Sequence, residues 1–266
     1  MKIRFLFIGI VILFTTCYLA TTGHTKLDPD TFIGLWGFDD DGGDTARDST
    51  ENEHDGELIN NPKWVEGVFG GALEFDGNAY IDLGNAESLQ FDGNVSIVYW
   101  AKPDDVGAGR QNIVCKAYGG EGCITQEANG MLSFYWGDCG ANCEPYVEVQ
   151  RPPAGTIGSG EWMHIAVVRD VDNRQYRLYK DGVIVAQGTW NKCGAHPCGD
   201  SKPSELPLYI GTGYAGRFRG VLDEVAIIGD VIEENDIQSI MEKGFDNVAA
   251  VFAAGKLTTT WAKIKK

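Results

Sequence analysis

Basic side chains are scarce: 22 Lys and Arg stand against 38 Asp and Glu, a formal charge of −16 at pH 7. Binding nucleic-acid phosphates takes clusters of Lys and Arg that displace counterions, so no nucleic-acid partner is expected. Only 4 residues are His and 4 are Met. No Gly-x-Ser-x-Gly, His-Glu-x-x-His or Gly-x-x-x-x-Gly-Lys pattern occurs, so the common hydrolase, zinc-protease and nucleotide-loop signatures are missing. Nor is there a repeat of solenoid or propeller length. What is abundant is glycine, at 35 residues, together with 7 Trp, 10 Tyr and 12 Phe. Hydrophobic residues at 43% and charged residues at 23% suffice for a buried core and exclude global disorder. This composition belongs to a turn-rich β protein rather than a helical bundle.

Lys2 and Arg4 precede the apolar run from Phe5 to Phe14, and Ala20, Thr21, Thr22 and Gly23 follow at short distance. A basic start, a short apolar stretch and a small-residue exit predict an export signal over 1–23, cleaved near Ala20–Gly23. The apolar stretch falls short of the roughly 20 residues that span a bilayer, so membrane contact is expected only if this segment stays uncleaved. The expected location is secreted or cell-surface. Removing 1–23 takes away Lys2 and Arg4 and moves the charge from −16 to −18. It also removes Cys17 and leaves six cysteines, an even number, which in an exported chain reads as three disulfides with fifteen possible pairings. Turn residues between Cys139 and Cys143, and between Cys193 and Cys198, favour local bridges. Cys115 and Cys123 flank a hairpin turn and could pair across it. The spacings lack CxxC, which argues against zinc.

Short segments rich in Val, Ile, Tyr and Trp recur along the rest of the chain. They include Phe32–Phe38, Ala72–Phe75, Tyr80–Leu83, Val95–Lys102, Ile113–Lys116, Met131–Trp136, Tyr146–Gln150, Trp162–Arg169, Tyr176–Lys180, Val183–Gln187, Leu208–Ile210 and Val221–Ile228. Gly, Asn, Asp or Pro bound each of them, as at strand ends. Asp76-Gly77 and Asp181-Gly182 are hairpin turns by composition. Many strands with little helical periodicity predict an all-β fold, a two-sheet antiparallel β-sandwich of jelly-roll type. One short C-terminal helix is expected where Ile232, Ile237, Ile240 and Met241 recur at helical spacing, with Glu233, Glu234 and Asp236 ahead and Gly244 as a stop. Residues 24–33 read as a linker and 34–244 as the domain. The stretch 245–266 reads either as a loosely attached tail or, from its Lys residues around Trp261, as a membrane-surface or sorting segment.

Several segments in order resemble the laminin-G-like branch of the concanavalin A-like lectin/glucanase superfamily. Gly67-Val-Phe-Gly-Gly-Ala-Leu-Glu-Phe-Asp-Gly-Asn-Ala-Tyr-Ile-Asp-Leu-Gly84 is similar to that family's signature strand pair, and Val95–Pro103 to the core strand that follows. Glu161–Val168 and Leu178–Val185 resemble its two central strands, and Gly220–Ile228 followed by a short acidic helix resembles its end. The resemblance covers about 34–243. In Trp162–Val168, Trp162, His164, Ala166 and Val168 share one face and Met163, Ile165 and Val167 the other, so the strand is expected to be buried on both sides. His164 is therefore expected to be a packed, hydrogen-bonded structural residue, and Trp100 and Trp162 to belong to the core.

The residues suit three chemistries to different degrees. The loop Phe38–Asp48 places five carboxylates in eleven residues beside turn glycines, a ligand set suited to calcium. It is no EF-hand, because Asp44 stands where that loop needs glycine. The family resemblance implies a structural calcium ion on Asp39, Asp48 and Asp223; the alternative is a solvated acidic loop. Glycosidases of the superfamily carry Glu-x-Asp-x-x-Glu on one strand, whereas Glu74-Phe-Asp76 is followed by Gly77-Asn78-Ala79, so the third carboxylate is missing. No catalysis is expected, and a divergent glycoside hydrolase is the remotest reading. Recognition is the third: loop aromatics Tyr118, Trp136, Tyr146, Trp190 and Tyr214, with Arg217 nearby, could meet a sugar. Tyr118, Trp136, Tyr214 and Arg217 are the expected ligand residues. The expected function is non-catalytic binding of a carbohydrate or an extracellular protein; the alternative is a structural or adhesive surface protein without a small ligand.

Overall fold

The computed structural model describes residues 27–40, 42–149, 151–190, 192–193, 196–197 and 200–245. Two sheets face each other. One runs, in spatial order, Val183–Thr189, Gln175–Lys180, Met163–Asp170, Val95–Pro103, Arg219–Ile228, Gly71–Asp76 and Lys63–Glu66, with Phe32–Trp36 also paired to Arg219–Ile228. The other runs Val147–Glu148, Leu132–Trp136, Gly122–Gln126, Gln111–Ala117, Tyr209–Ile210, Tyr80–Asp82, Gly56–Ile59 and Thr45–Ala46. The pairings are antiparallel except that Gly216–Arg217 lies parallel to Gln111–Ala117. A two-stranded ribbon, Lys192–Cys193 with His196–Pro197, stands apart. The expected β-sandwich with one short helix is thus what the chain forms.

Local chemistry explains the joints. Asp181 and Gly182 both have positive φ, at 50° and 74°, which is the tight hairpin that Asp-Gly favours. Strand alternation then sorts the side chains. Met163, Ile165 and Val167 enter the core between the sheets with Ile97, Tyr99, Phe134 and Trp136. Ala166 and Val168 face outward, and the helix Glu234–Lys243 covers that outer face. Its Ile237 and Ile240 pack with Val98, Tyr179, Ala226 and Ile228. A reciprocal Glu233–Asp236 capping box starts the helix and Gly244, at φ 63°, ends it. Arg169 ties one sheet to the turn of the other: buried, it donates to the carbonyls of Gly93, Glu121 and Phe91 and lies over Phe134 and Trp136.

Two expected boundaries move. Phe32 and Ile33, which fall in the linker 24–33 but also in the strand segment Phe32–Phe38, begin a strand paired with Arg219–Ile228, because Phe32 fills the layer under the helix. Phe245, assigned to the tail, is buried edge-on to Phe32 at 5.9 Å. The expected export signal and residues 246–266 lie outside the described residues. Cys115–Cys123 and Cys139–Cys143 are bonded, whereas the Cys193–Cys198 pairing reaches beyond the described residues. His164 is packed, as expected, but both ring nitrogens lack a hydrogen-bond partner. Burial between Trp100 and the sheet lowers its pKa from 6.5 to about 4, so the ring is neutral.

Candidate functional site

The helix covers one sheet; on the other, Gln111–Ala117, Gly122–Gln126 and Leu132–Trp136 are buried along their whole length, so a ligand would meet the loops that lie over that face. In Leu132–Trp136, the alternate residues Leu132, Phe134 and Trp136 belong to the core, which turns Ser133 and Tyr135 outward. Trp136 is 0% exposed and packs on Phe134 and Trp190, so it cannot contact a ligand; the expectation for it is corrected by one step of strand register. Trp190 is likewise core. Tyr118 and Tyr214, by contrast, come together and are half-buried, with ring centroids 4.6 Å apart. Tyr146 stands edge-on to both Tyr118 and Tyr135, at 5.3 Å and 5.5 Å.

A polar network holds these rings. Glu127 follows Gly122–Gln126 at a turn closed by Gly130, which has φ 74°. The Glu127 carboxylate accepts from Ser133 Oγ at 3.0 Å, Tyr135 OH at 3.1 Å and Arg110, whose Nε is 2.8 Å away. Arg110 also donates to Tyr214 OH at 2.8 Å and lies over the Tyr214 and Tyr135 rings. Arg151 donates to Tyr135 OH at 2.8 Å. Thr125 Oγ1 and Tyr214 OH share a hydrogen bond of 3.0 Å. Burial pushes the Tyr214 phenol up to about 12 and Tyr135 upward too, so both keep their protons at neutral pH. Tyr135, at 4% exposure, is the buried base of the cluster, and the half-buried rings of Tyr118, Tyr146 and Tyr214 are what it offers, bordered by polar groups, the mixture that sugar rings and hydroxyls match.

Two loops carry the rings. Tyr118 sits on the turn between Gln111–Ala117 and Gly122–Gln126, the strands bridged by Cys115–Cys123. That turn is fastened to the Cys139–Cys143 loop: Tyr118 N donates to Asn142 Oδ1, Gly119 N to Ala141 O and Gly140 N to Gly119 O. Tyr214 sits on 211–217, pinned where Ala215 N donates to Asn112 Oδ1 at 2.7 Å. Arg217 is not in the tyrosine cluster. It lies 5.0 Å over Tyr80, donates to Asn78 O at 2.7 Å, and Tyr80 meets Tyr209 edge-on at 5.7 Å. Sequence reasoning missed Arg110, Glu127, Tyr135 and Arg151; counting Tyr135 outward from Leu132 and Phe134 would have found one of them.

The carboxylates expected to hold calcium divide. Asp48 is buried and spent on the backbone: it accepts from Leu35 N, Thr50 N, Thr50 Oγ1 and His54 N, so it is corrected to a structural anchor. Asp39 and Asp223 share a different corner. The loop 67–71 wraps both: a Cβ on Gly70 would stand 2.0 Å from Asp39 Oδ1 and one on Gly67 2.5 Å from Asp223 Oδ2. Asp223 Oδ2 accepts from Val68 N and Phe69 N, while its Oδ1 is buried without a partner. Burial, reinforced by the charge of Asp39, pushes Asp223 up to about 7. Among the described residues no three His, Cys, Asp or Glu side chains group as a metal site. A cation here would rest on these two carboxylates, with the orphaned Asp223 Oδ1 free to ligate it, and carboxylate oxygens suit a hard ion such as calcium.

Residues 75–238, more than half of the chain, match the family model of the concanavalin A-like lectin/glucanases superfamily, laminin-G type. No curated protein matches the sequence. Among solved structures, domain 4 of AbnA, a GH43 extracellular arabinanase from Geobacillus stearothermophilus in complex with arabinotriose, aligns with TM-score 0.60 at 19% identity, over 79% of this chain and 98% of that one. The binding domain of Paraclostridial Mosquitocidal Protein 1 aligns with TM-score 0.59 at 14% identity, over 82% and 53%. A Trypanosoma rangeli sialidase mutant displaying trans-sialidase activity aligns with TM-score 0.58 at 15% identity, over 84% and 34%. This chain thus spans nearly all of the arabinanase domain but about half of the toxin domain and a third of the sialidase chain. Such identities speak for the fold, and together with the family match they make this chain a member of the concanavalin A-like lectin/glucanases superfamily.

Proposed function

We propose that this protein is an exported, non-catalytic carbohydrate-binding module whose site is the tyrosine cluster on the loops over the sheet away from the helix. The observation that carries the reading is the half-buried pair Tyr118 and Tyr214 above the buried Tyr135, with the Tyr214 and Tyr135 hydroxyls held by Arg110 and Glu127. Pre-set donors and rings of this kind bind sugars without a large ordering cost. Support from outside the chain comes from the arabinanase domain, solved with arabinotriose, and from a botulinum neurotoxin serotype D domain, solved with N-acetylneuraminic acid. Support for a non-catalytic role is that the Glu127 carboxylate is engaged by Arg110, Ser133 and Tyr135, whereas glycosidases face two carboxylates across the bond they cut. Support for export comes from the two disulfides, which persist in oxidising compartments. We further propose that Asp39 and Asp223 hold a structural calcium ion.

The test is a panel of neutral and acidic polysaccharides in calcium, with released sugar measured in the same wells. Binding without release is expected, with Tyr214→Ala and Arg110→Ala each weakening it about tenfold or more, as truncation of Tyr and Arg anchors does. Sugar release would overturn the non-catalytic reading. Failure of the whole panel would overturn carbohydrate binding and leave an extracellular protein partner.

A further inference from the structure

The outer side of the sheet away from the helix carries a second aromatic station beside the 211–217 loop. Tyr80 and Tyr209 stand edge-on, both half-buried, and the exposed Arg217 covers Tyr80 at 5.0 Å. Among the described residues Arg217 makes no ion pair, and its Nη1 donates to Asn78 O. Strand pairing places this station relative to the tyrosine cluster. Tyr209 is opposite Cys115, Cys115 opposite Cys123 and Cys123 opposite Tyr135, so the four residues form one row across four strands. Directly opposed residues share a face, and three strand spacings put Tyr209 about 14 Å from Tyr135.

What lies between is low. The disulfide in the middle of the row is covered by the 211–217 loop, where a Cβ on Gly213 would stand 2.5 Å from Cys115 Sγ. This same loop supplies Tyr214 to the first station and Arg217 to the second, with only Ala215 and Gly216 between them. Three residues of chain span at most about 11 Å, so the stations are neighbours over a floor of small side chains.

We infer that the two stations form one extended site, which takes an internal stretch of a linear oligosaccharide lying across the strands rather than a single terminal sugar. This rests on the carbohydrate reading proposed above and adds the form of the ligand. One sugar packs at Tyr214 and Tyr118, the chain crosses Ala215–Gly216, and a later sugar meets Tyr80 with Arg217 donating to its oxygens.

The experiment titrates the full chain, wild type and variants, with linear arabino-, xylo-, cello-, manno- and chito-oligosaccharide series from monosaccharide to hexasaccharide. In the series that binds, wild-type affinity is expected to climb with length by about tenfold or more before levelling. Arg217→Ala and, independently, Tyr80→Ala are expected to flatten that climb, with melting temperatures near wild type. An affinity that is already maximal for the mono- or disaccharide, or a climb that both variants leave intact, overturns the extended site while carbohydrate binding stands. If no series binds, the carbohydrate reading fails and the extended site fails with it.

Discussion

At the scale of single residues, His164 is the clearest case of burial deciding chemistry. Its ring is fully buried, neither nitrogen has a partner, and its folded pKa of about 4 lies below the ordinary 6.5. The unfolded chain therefore takes up a proton near 6.5 that the folded one refuses until about 4. The stability held by the neutral ring is complete above pH 6.5 and is lost as pH falls toward 4. The shift corresponds to about 3 kcal/mol. Urea unfolding of wild type and His164→Gln should diverge accordingly: wild type loses that amount relative to the variant between pH 6.5 and 4. Parallel curves would mean that the ring is solvated. The sequence showed His164 as a packed strand residue, from alternation alone. It did not show the missing hydrogen bonds, since partners for a ring nitrogen come from distant strands. Trp136 failed for a related reason: its cysteine-rich neighbourhood looked like a loop, yet one step of register separates the core face from the ligand face.

Among the elements, strands and turns were legible where hydrophobic runs met Gly, Asp or Asn. The short strands Thr45–Ala46, Gly56–Ile59 and Gly216–Arg217 were not, because two to four residues carry too little pattern and are held by their neighbours. The polar network of Arg110, Glu127 and Arg151 was equally hidden, being assembled from three separate loops. The fastening of the Tyr118 turn to the Cys139–Cys143 loop makes a prediction at this scale. Opening a loop this short by Cys139→Ser with Cys143→Ser removes about 2 kcal/mol by chain entropy, leaving the sandwich folded. The free loop no longer holds Asn142 and Ala141 against the turn. Glycan affinity should therefore fall further than in a surface control such as Val183→Ser, on the edge strand of the covered sheet. Equal affinities by calorimetry would show that the turn positions Tyr118 unaided.

For the molecule as a whole, the balance of charge matters most. A chain at −16 brings carboxylates together on folding, and the corner around Asp39 and Asp223 joins the first strand, the 67–71 loop and the last long strand. Asp39 Oδ1 accepts from Gly71 N and Asp223 Oδ2 from Val68 N and Phe69 N, so a cation between the two would brace segments from both ends of the domain. Binding to the folded state alone stabilises by about 2.7 kcal/mol at a hundred times the dissociation constant. At about 2–4 °C per kcal/mol for a domain of this size, calcium should raise the melting temperature by about 5–10 °C over a chelator-treated sample. Asp223→Asn should abolish most of that increment, and Asp48→Asn should keep it while lowering both melting temperatures, because Asp48 serves the backbone instead. Magnesium, which demands a tight octahedron and dehydrates reluctantly, should not substitute for calcium at a corner with only two carboxylates to offer. A melting temperature indifferent to chelator would remove the ion and leave Asp39 and Asp223 as a hydrogen-bonded latch in which one buried carboxyl keeps its proton.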